Sequence, residues 1–354
     1  MSSLPASKNL LLAAQKQLLE LPLIFIKKQM KKHRVSIAIL AGIICVAMMG
    51  IASGQETFTI YIENDGTYIK PLYRTDRHYT DGVKLAFTHQ PNDVNFLKDY
   101  SRWNGFGEND GNVSTALGYF FGQNMYTPDH ADDPAKRAKH DMVFAGWIYG
   151  GIFVQRASEN QMEHLELNLG MIGPVANGGE VQSFVHNMVG VAKPKGWNNQ
   201  LGNEFEADAT WMRKQRVDKR YFARTENFDS HLEYGATIGT LHRNANLGIV
   251  FRYGIHLPND FGPGRLEAPA SACIDKPAEV QTAYLFTRIG GKLVEYNRFL
   301  SGLETEPAVG HLQIGMAYRY KSFEISYSET FLTREYKEQS STDSYGAINM
   351  MWRF

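Results

Sequence analysis

The chain has 354 residues, with 37 Lys and Arg against 37 Asp and Glu, so its formal net charge is zero. A neutral chain lacks the basic surplus that binding to a polyanion needs, which argues against a nucleic-acid-binding protein. Its two cysteines, Cys45 and Cys273, cannot build a disulfide framework or a Cys-based zinc site. A mean hydropathy of -0.34 excludes a bundle of membrane helices but allows a membrane β-barrel, because barrel strands alternate polar and apolar residues.

The N-terminal region has the composition of a secretory signal peptide. Five basic residues between positions 27 and 34 precede an uncharged apolar run, Val35 to Ala52, which is followed by the small residues Ser53 and Gly54. A basic region, an apolar run and a small-residue exit are the features of such a signal. We predict a leader and cleavable signal peptide over residues 1–54, with Met30 as an alternative start, and an exported domain over residues 55–354. A run of this length could instead stay in the membrane as a signal anchor.

The rest of the chain has the period of β-strands. From about residue 57 onwards, alternating runs recur between turn signals, with almost no helical periodicity. About twelve such runs can be counted, at residues 57–64, 79–88, 116–122, 143–154, 163–171, 204–212, 232–241, 246–255, 280–293, 310–320, 322–331 and 344–354. An even count closes a bacterial barrel with both termini on the periplasmic side.

Aromatic residues support a barrel in a membrane. Tyr and Phe lie toward the ends of the predicted strands, for example Tyr119, Phe121 and Tyr320, as in the two interfacial girdles of a membrane barrel. The chain ends on Phe354, which resembles the C-terminal assembly signal of outer-membrane barrels. We therefore predict an all-β fold, an antiparallel transmembrane β-barrel of about 12 strands in the bacterial outer membrane. A soluble β-sandwich or lipocalin-like barrel is the alternative, and the export signal, strand count and final Phe argue against it.

One segment, residues 178–190, breaks the strand pattern and predicts a short helix in a loop. Its apolar residues Val181, Phe184, Val185 and Met188 have helical spacing, and Gly190 suits the position that follows a helix. Gln182 and His186 are four residues apart, so their side chains leave the same side of this helix. A helix in a barrel-forming sequence must lie in a loop, fill the lumen or cap the mouth, and its polar pair then points at something specific.

Two polar groups flank the first loop. Asn64 and Asp65 follow the first predicted strand and carry the oxygen donors that calcium takes, although Asn-Asp-Gly is also an ordinary turn sequence. The block from Thr75 to Gly82 offers a hydroxyl at Thr80, two carboxylates and a glycine that lets the backbone approach a ligand. It is equally consistent with a polar junction between a loop and a strand.

The available chemistry favours a histidine acting on water. His186 stands beside the Gly/Trp/Asn-rich stretch 194–204, whereas a lone His is usually structural or merely exposed. The chain has no G-x-S-x-G elbow, no H-E-x-x-H and no G-x-x-x-x-G-K. If the protein is a hydrolase, a histidine general base is therefore the reading that the residues allow.

Taken together, these blocks resemble the lipid A 3′-O-deacylase (LpxR-type) family of outer-membrane barrels. The resemblance is carried, in chain order, by residues 63–65 (END), 76–82 (DRHYTDG), 122–128 (GQNMYTP), 169–174 (LGMIGP), 182–186 (QSFVH) and 196–204 (GWNNQLGNE). They span about half of the mature chain.

The resemblance implies an enzyme that uses Ca²⁺ to hydrolyse the 3′-O-linked acyl ester of lipid A, with lipopolysaccharide as substrate and a monomer as the expected state. His186 would be the general base that activates water. The other implied catalytic residues are Asn64, Asp65, Thr80 and Gln182, and the implied metal ligands are Asp65, Asn64 and Gly82. The family also uses a glutamate after the histidine, but position 192 is Ala192, and the nearest downstream glutamate in a matched block is Glu204.

Lipid A is an anionic amphiphile, so its site is expected at the membrane-facing mouth of the barrel. Basic residues in predicted loops, Arg137, Lys139, Lys193 and Lys195, could meet its phosphates or could simply aid solubility. One alternative enzyme is an outer-membrane phospholipase, indicated by a serine within bonding reach of His186. A diffusion channel or structural barrel is the non-enzyme alternative, indicated by a wide water-filled lumen.

Overall fold

The computed structural model describes residues 56–66, 76–91, 113–190, 192–217, 224–267 and 278–354. They belong to one compact unit. The predicted leader and signal peptide, Cys45, Cys273 and Thr75 lie outside the described residues.

Twelve antiparallel strands form a closed barrel. They are β1 (Glu56–Asn64), β2 (His78–His89), β3 (Ser114–Thr127), β4 (Ala145–Ala157), β5 (Gln161–Ile172), β6 (Glu204–Arg216), β7 (Phe228–Gly239), β8 (His242–Ile255), β9 (Ala278–Asn297), β10 (Ala308–Lys321), β11 (Phe323–Leu332) and β12 (Asp343–Arg353). Each strand pairs with its neighbours in sequence, and β1 closes the barrel against β12. The prediction of a twelve-stranded barrel is confirmed.

The strand ends differ from those predicted where polar residues resemble a turn. The prediction ends the third strand at Gly122, but β3 continues to Thr127. Its added residues include Asn124, whose side-chain oxygen accepts a hydrogen bond from the Tyr149 hydroxyl at 3.1 Å inside the barrel. A polar side chain that points into a barrel finds hydrogen-bond partners there and does not break the strand. The alternation therefore continues through Asn124.

The predicted helix is confirmed as α1 (Gly178–Val189) in the connection between β5 and β6. It follows Asn177 and ends at Gly190, both with left-handed backbone, at φ 54 and φ 71. Gly190 takes this conformation without the steric cost that a side chain would impose. Short 3-10 turns precede and follow it, at Pro174–Ala176 and Trp197–Asn199. Among the described residues, no helix has the length and apolar character needed to cross a bilayer.

Charged side chains fill the lumen. The fully buried side chains there include Arg156, Lys214, Arg252, Arg288 and Arg319. Arg252 donates to Asp229 at 2.5 Å, and Asp229 also accepts from Arg216 at 2.5 Å. A buried ion pair is tolerated only when its hydrogen bonds are satisfied. Here both oxygens of Asp229 accept from Arg252, and one of them also accepts from Arg216.

The connection after β8, residues 257–267, enters the interior of the barrel. Asp260 pairs with Arg252, the Asn349 side chain donates to the Gly264 carbonyl, and the Leu266 amide donates to Glu63 at 3.0 Å. Residues 257–267 thus occupy the interior beside β1, β8 and β12. Along the described residues, this filled interior is the opposite of the wide lumen that a diffusion channel needs.

Candidate active site

Asn64, Gln182 and His186, three of the residues predicted to be functional, lie on the outer wall of the barrel and not in its lumen. Glu63 points inward, because it binds the Leu266 amide of the interior segment. Side chains alternate along a strand, so Asn64 points outward. It pairs in register with Asp81, and Ile62 pairs with Val83 two positions earlier on the same face. The Asn64–Asp81 pair therefore continues a row of apolar, lipid-facing side chains.

The segment that carries α1 packs on that same outer wall. Gln123, which alternates with the inward Asn124, donates from its side chain to the Ala176 carbonyl. Gly146 of β4 also faces this segment, and a Cβ placed there would lie 3.3 Å from the Gly178 backbone nitrogen. Absence of a side chain at Gly146 lets the start of the helix approach the sheet closely.

The helix presents one polar face to the barrel and one apolar face to its surroundings. Gln182 and His186 are 2% and 6% exposed. Phe184 and Met188, on another face, are 56% and 69% exposed. The i, i+4 spacing predicted from the sequence thus brings the Gln182 and His186 side chains into the space between helix and wall.

His186 is held at both ring nitrogens. Nδ1 lies 2.5 Å from the Ala192 carbonyl oxygen, and Nε2 lies 3.2 Å from Oδ2 of Asp76. A carbonyl can only accept a hydrogen bond, so Nδ1 carries a proton. In the neutral ring, Nε2 is therefore the nitrogen with the free lone pair, and it faces the site.

Trp197 fixes the orientation of the Gln182 amide. The indole N–H donates to Oε1 of Gln182 at 2.8 Å. Because an indole N–H is a donor only, the oxygen must face Trp197 and the amide NH₂ must face away from it. The stretch around Trp197, noticed in the sequence for its composition, thus acts on the helix through this bond.

The predicted residues of the first two strands are held by hydrogen bonds among β1, β2 and β3. Asn64 donates to Asp81 at 3.3 Å and accepts from the Gly66 amide at 2.8 Å. Asp65 accepts from the Arg77 amide at 2.6 Å. Thr80, which is buried, shares a 2.7 Å hydrogen bond with Thr127 of β3.

Carboxylates are concentrated in the first loop. Burial raises the pKa of Asp65 well above its usual range, and the neighbouring charges of Asp76 and Asp81 raise it further. Burial also raises the pKa of Asp76, against the opposing effect of His186. A buried carboxyl among other carboxylates favours its neutral form unless a cation compensates its charge.

The donor set at this place has the chemistry of a calcium site. Asn64, Asp65 and Asp81 carry hard oxygen donors, two of them carboxylates. Among the described residues, no three His, Cys, Asp or Glu side chains are already arranged around a common metal position. The Cα of Gly82 faces the interior, since a Cβ there would meet Tyr79 and Leu266.

The loop basic residues take different positions. The Arg137 guanidinium donates to the backbone carbonyls of Ala131, at 2.7 Å, and of Lys195. It therefore ties two loops together. Lys139 and Lys193 are exposed.

Sequence reasoning missed a second histidine cluster that ties three loops. Nδ1 of His78 lies 2.6 Å from Asp343, and Nε2 lies 3.3 Å from Asp141 and 2.8 Å from the Tyr336 hydroxyl. Arg77 also pairs with Asp343. These partners are up to 266 positions apart in sequence, and only closure of β1 on β12 brings them together. Asp76, the partner of His186, was noticed only as part of a polar block.

Two solved structures are similar to this chain, and the first of them has the same fold. The structure of LpxR from Salmonella typhimurium aligns with a TM-score of 0.66 and 20% identity, covering 84% of this chain and 100% of that one. The translocator domain of the autotransporter NalP from Neisseria meningitidis aligns with a TM-score of 0.41 and 8% identity, over 90% of this chain and 95% of that one. No curated protein matches the chain.

A family model settles the classification. The model described as "Outer membrane protein LpxR" matches residues 36–354, which is most of the chain and includes all twelve strands and α1. The chain therefore belongs to the LpxR family of outer-membrane proteins.

Proposed function

We propose that this protein is a lipid A deacylase that hydrolyses the 3′-O-linked acyl ester of lipid A. The observation that carries the proposal is the position of His186, which lies between a helix and the outer wall and contacts Asp76, just before β2. The outward face of β1 and β2 carries the Asn64–Asp81 pair and, two positions along, Ile62 and Val83. A membrane lipid can bring an ester to this place while its acyl chains stay in hydrocarbon. Membership of the LpxR family supports the same substrate class.

In this proposal, His186 is the general base. Nδ1 is held as a donor by the Ala192 carbonyl, so Nε2 accepts a proton from the attacking water. The described contacts of the imidazole are with Ala192 and Asp76, neither of which is a serine nucleophile. Activation of water therefore fits the described surroundings of the ring better than a serine–histidine pair does.

Gln182, Thr80 and Asn64 would complete the reaction centre. Gln182, oriented by Trp197, presents its amide NH₂ away from the indole and within hydrogen-bonding reach of Asp76, where it would also donate to the ester or its leaving oxygen. Thr80 and Thr127 hold β2 and β3 together beside it. Asn64 orients the Asp81 carboxylate through its amide.

We also propose a calcium site formed by Asn64, Asp65 and the backbone at Gly82. A calcium ion bound there would polarise the ester carbonyl and stabilise the negative charge of the tetrahedral intermediate. The proposal is supported by the oxygen-only donors and by the raised pKa of Asp65, which is caused first by burial and then by the nearby carboxylates of Asp76 and Asp81. The exposed Lys139 and Lys193 would lie near the phosphates of the substrate.

Replacement of His186 tests the proposed reaction. We expect expression of the wild-type protein in a host with intact lipid A to remove the 3′ acyloxyacyl group, as seen by mass spectrometry of extracted lipid A. His186→Ala should reduce this product by about 100-fold or more, because general base catalysis typically contributes 10²–10⁴-fold. The variant should still assemble as a barrel, which migration of unheated protein on electrophoresis reports.

Two controls define the result. His256→Ala changes an exposed histidine whose ring contacts Glu226, far along the chain from the site, and should leave deacylation intact. Unchanged deacylation by folded His186→Ala would exclude the mechanism. Release of fatty acid from phospholipid instead of lipid A would favour a phospholipase.

A further inference from the structure

The Asp76 carboxylate and Nε2 of His186 lie close together, and in the neutral histidine neither atom carries a proton. With Nδ1 protonated toward Ala192, the neutral imidazole offers a lone pair at Nε2, and the group that faces it at 3.2 Å is a carboxylate oxygen. A direct hydrogen bond across this contact needs a proton on Nε2 or on the carboxyl group. In the state that is ready to accept a proton from water, neither atom carries one, and the two acceptors repel each other unless a donor molecule satisfies both. The Gln182 side chain also lies within hydrogen-bonding reach of Asp76 and favours its ionised form. A water molecule has two O–H bonds and can donate one to each atom.

We propose that Asp76 is a catalytic residue that, together with Nε2 of His186, holds the water molecule that attacks the ester. The inference rests on the proposed function, since it assigns a second acceptor to the same reaction. The Asp76 side chain is 24% exposed and the His186 side chain 8%, so the pair lies at the edge of the site and water can reach it.

The position of Asp76 is fixed by the residue that follows it. The Arg77 amide donates to Asp65 at 2.6 Å, and the Arg77 side chain donates to Asp343, to Ser341 at 2.7 Å and to the Thr342 carbonyl at 2.7 Å. This anchoring joins the start of β2 to the loop before β12. Asp76 is therefore presented to His186 from a braced backbone, as a catalytic group requires.

The step balances with the groups named. The water oxygen forms a bond to the ester carbonyl carbon while one of its protons passes to Nε2 of His186. The second O–H remains bonded to the Asp76 carboxylate, whose negative charge stabilises the imidazolium that forms. The ester C–O bond then breaks, and Nε2 returns the proton to the leaving alcohol oxygen. The products are one carboxylic acid and one alcohol, and both side chains recover their starting states.

Replacing Asp76 by Asn and by Ala separates this role from a structural one. Asp76→Asn keeps the size of the side chain but places an amide N–H against the Nε2 lone pair, which displaces the water and occupies the base. Asp76→Ala removes one acceptor but leaves Nε2 free. We expect deacylation to fall in the order wild type, Asp76→Ala, Asp76→Asn, with the Asn variant about tenfold below the Ala variant.

A merely structural contact predicts the reverse order, because the isosteric Asn keeps the packing better than Ala does. Activity of folded Asp76→Asn equal to or above that of Asp76→Ala would therefore overturn the proposal. If the Ala variant does not fold, Asp76→Glu replaces it. Asp76→Glu keeps a carboxylate and should exceed Asp76→Asn, and the opposite result would also overturn the proposal. Asp133→Asn, an exposed loop carboxylate paired with Lys136, is the matched control and should keep wild-type activity.

The wild-type arm keeps this test separate from the proposed function. If purified wild-type protein releases no acyl chain from lipid A, the proposed function fails, whatever the variants do. The same variants are then compared on mixed micelles containing a p-nitrophenyl acyl ester. The predicted order on that substrate would support the role of Asp76 for a different ester, and the reverse order would exclude it.

Discussion

Single side chains at the site are oriented by partners that can play only one hydrogen-bonding role. The Ala192 carbonyl only accepts and the Trp197 indole only donates, so each leaves one tautomer or one amide orientation to the residue it holds. At position 192 the backbone, rather than the side chain of Ala192, makes the contact with His186. The orientation of the His186 ring therefore does not depend on the identity of that residue.

The calcium proposal is tested at the same scale through Asp65. Because burial and neighbouring carboxylates raise the pKa of Asp65, a cation should be needed to keep it ionised in the active protein. We expect removal of calcium by a chelator to stop deacylation without unfolding the barrel, and added calcium to restore it. Asp65→Asn should require a higher calcium concentration for half-maximal activity. Full activity in excess chelator would contradict the calcium role.

Sequence reasoning found residues whose partners are close along the chain and missed those whose partners are distant. Gln182 and His186 could be predicted to act together, because helical spacing alone places them on one face. The roles of Asp76 and His78 could not be predicted. Their contacts depend on the path of a loop and on closure of the first strand against the last.

At the scale of elements, α1 is an amphipathic helix turned with its polar face inward. Its apolar residues Phe184, Val185 and Met188 are exposed, at 56%, 42% and 69%. An apolar stripe open to the surroundings is unfavourable in water, but α1 lies on the outer wall above lipid-facing residues. Acyl chains in the outer leaflet are the natural cover for it.

Charging this stripe should weaken action on membrane-embedded substrate. We expect Phe184→Asp combined with Met188→Asp to reduce deacylation in membranes by roughly tenfold or more, since covering a side chain of this size is worth about 1.5–3 kcal/mol. Mass spectrometry of lipid A measures the effect. Asn187→Asp, on the exposed surface of the same helix, is the control for added charge. A double variant as active as the control would show that the stripe does not contact lipid.

The loops around the site depend on the His78 cluster. His78 has a backbone φ of 58, which is costly for a residue with a side chain, and its ring contacts with Asp343 and Asp141 oppose that cost. Asp141 also accepts from the Tyr336 hydroxyl at 2.7 Å. The cluster thus holds three connections together by hydrogen bonds, at the end of the barrel that carries α1.

The hydrogen bonds of the His78 cluster should weaken in acid. Burial acts to raise the pKa of Asp141, but hydrogen bonds from His78 and Tyr336 outweigh it, and the pKa lies below its ordinary value of 3.8. A carboxyl whose pKa is lowered by folding contributes stability above its unfolded-state value and loses it as the pH falls through the folded-state value. We expect cleavage of these loops by an acid-tolerant protease to increase as the pH falls below about 4. Asp141→Asn should be cleaved readily both at neutral pH and below about pH 4. A variant as resistant as the wild type at neutral pH would contradict this role.

At the scale of the whole molecule, the barrel could be predicted almost completely, because an alternating pattern specifies both strands and faces. The contents of the lumen could not be predicted. The interior segment 257–267 has no strand or helix period, and its bonds to Glu63 and Asn349 come from strands that are distant in sequence. From the sequence, the site is expected at the mouth of the barrel. Only the folded barrel shows which side chains face outward, and so that His186 lies against the outer wall.

Stability should depend on the interior charges. Asp229 lies between Arg216 and Arg252, and removing it would leave two buried cations without their shared carboxylate. We expect Asp229→Ala to lower the free energy of unfolding by about 3–5 kcal/mol, the usual cost of breaking a buried pair. Urea unfolding in lipid vesicles measures the change. Glu226→Ala, at an exposed site paired with His256, should change it by less than about 1 kcal/mol. Equal effects of the two variants would contradict a structural role for the network.

In the proposed function, the position of His186 on the outer wall also determines how the protein meets lipid A. A lipid that reaches His186 along the row of Ile62 and Val83 arrives by lateral diffusion in one leaflet. Encounter is then two-dimensional, and the rate follows the mole fraction of the lipid in the membrane rather than its bulk concentration. Dilution with inert lipid should slow the reaction at constant total substrate, whereas dilution with buffer should leave the rate per enzyme unchanged.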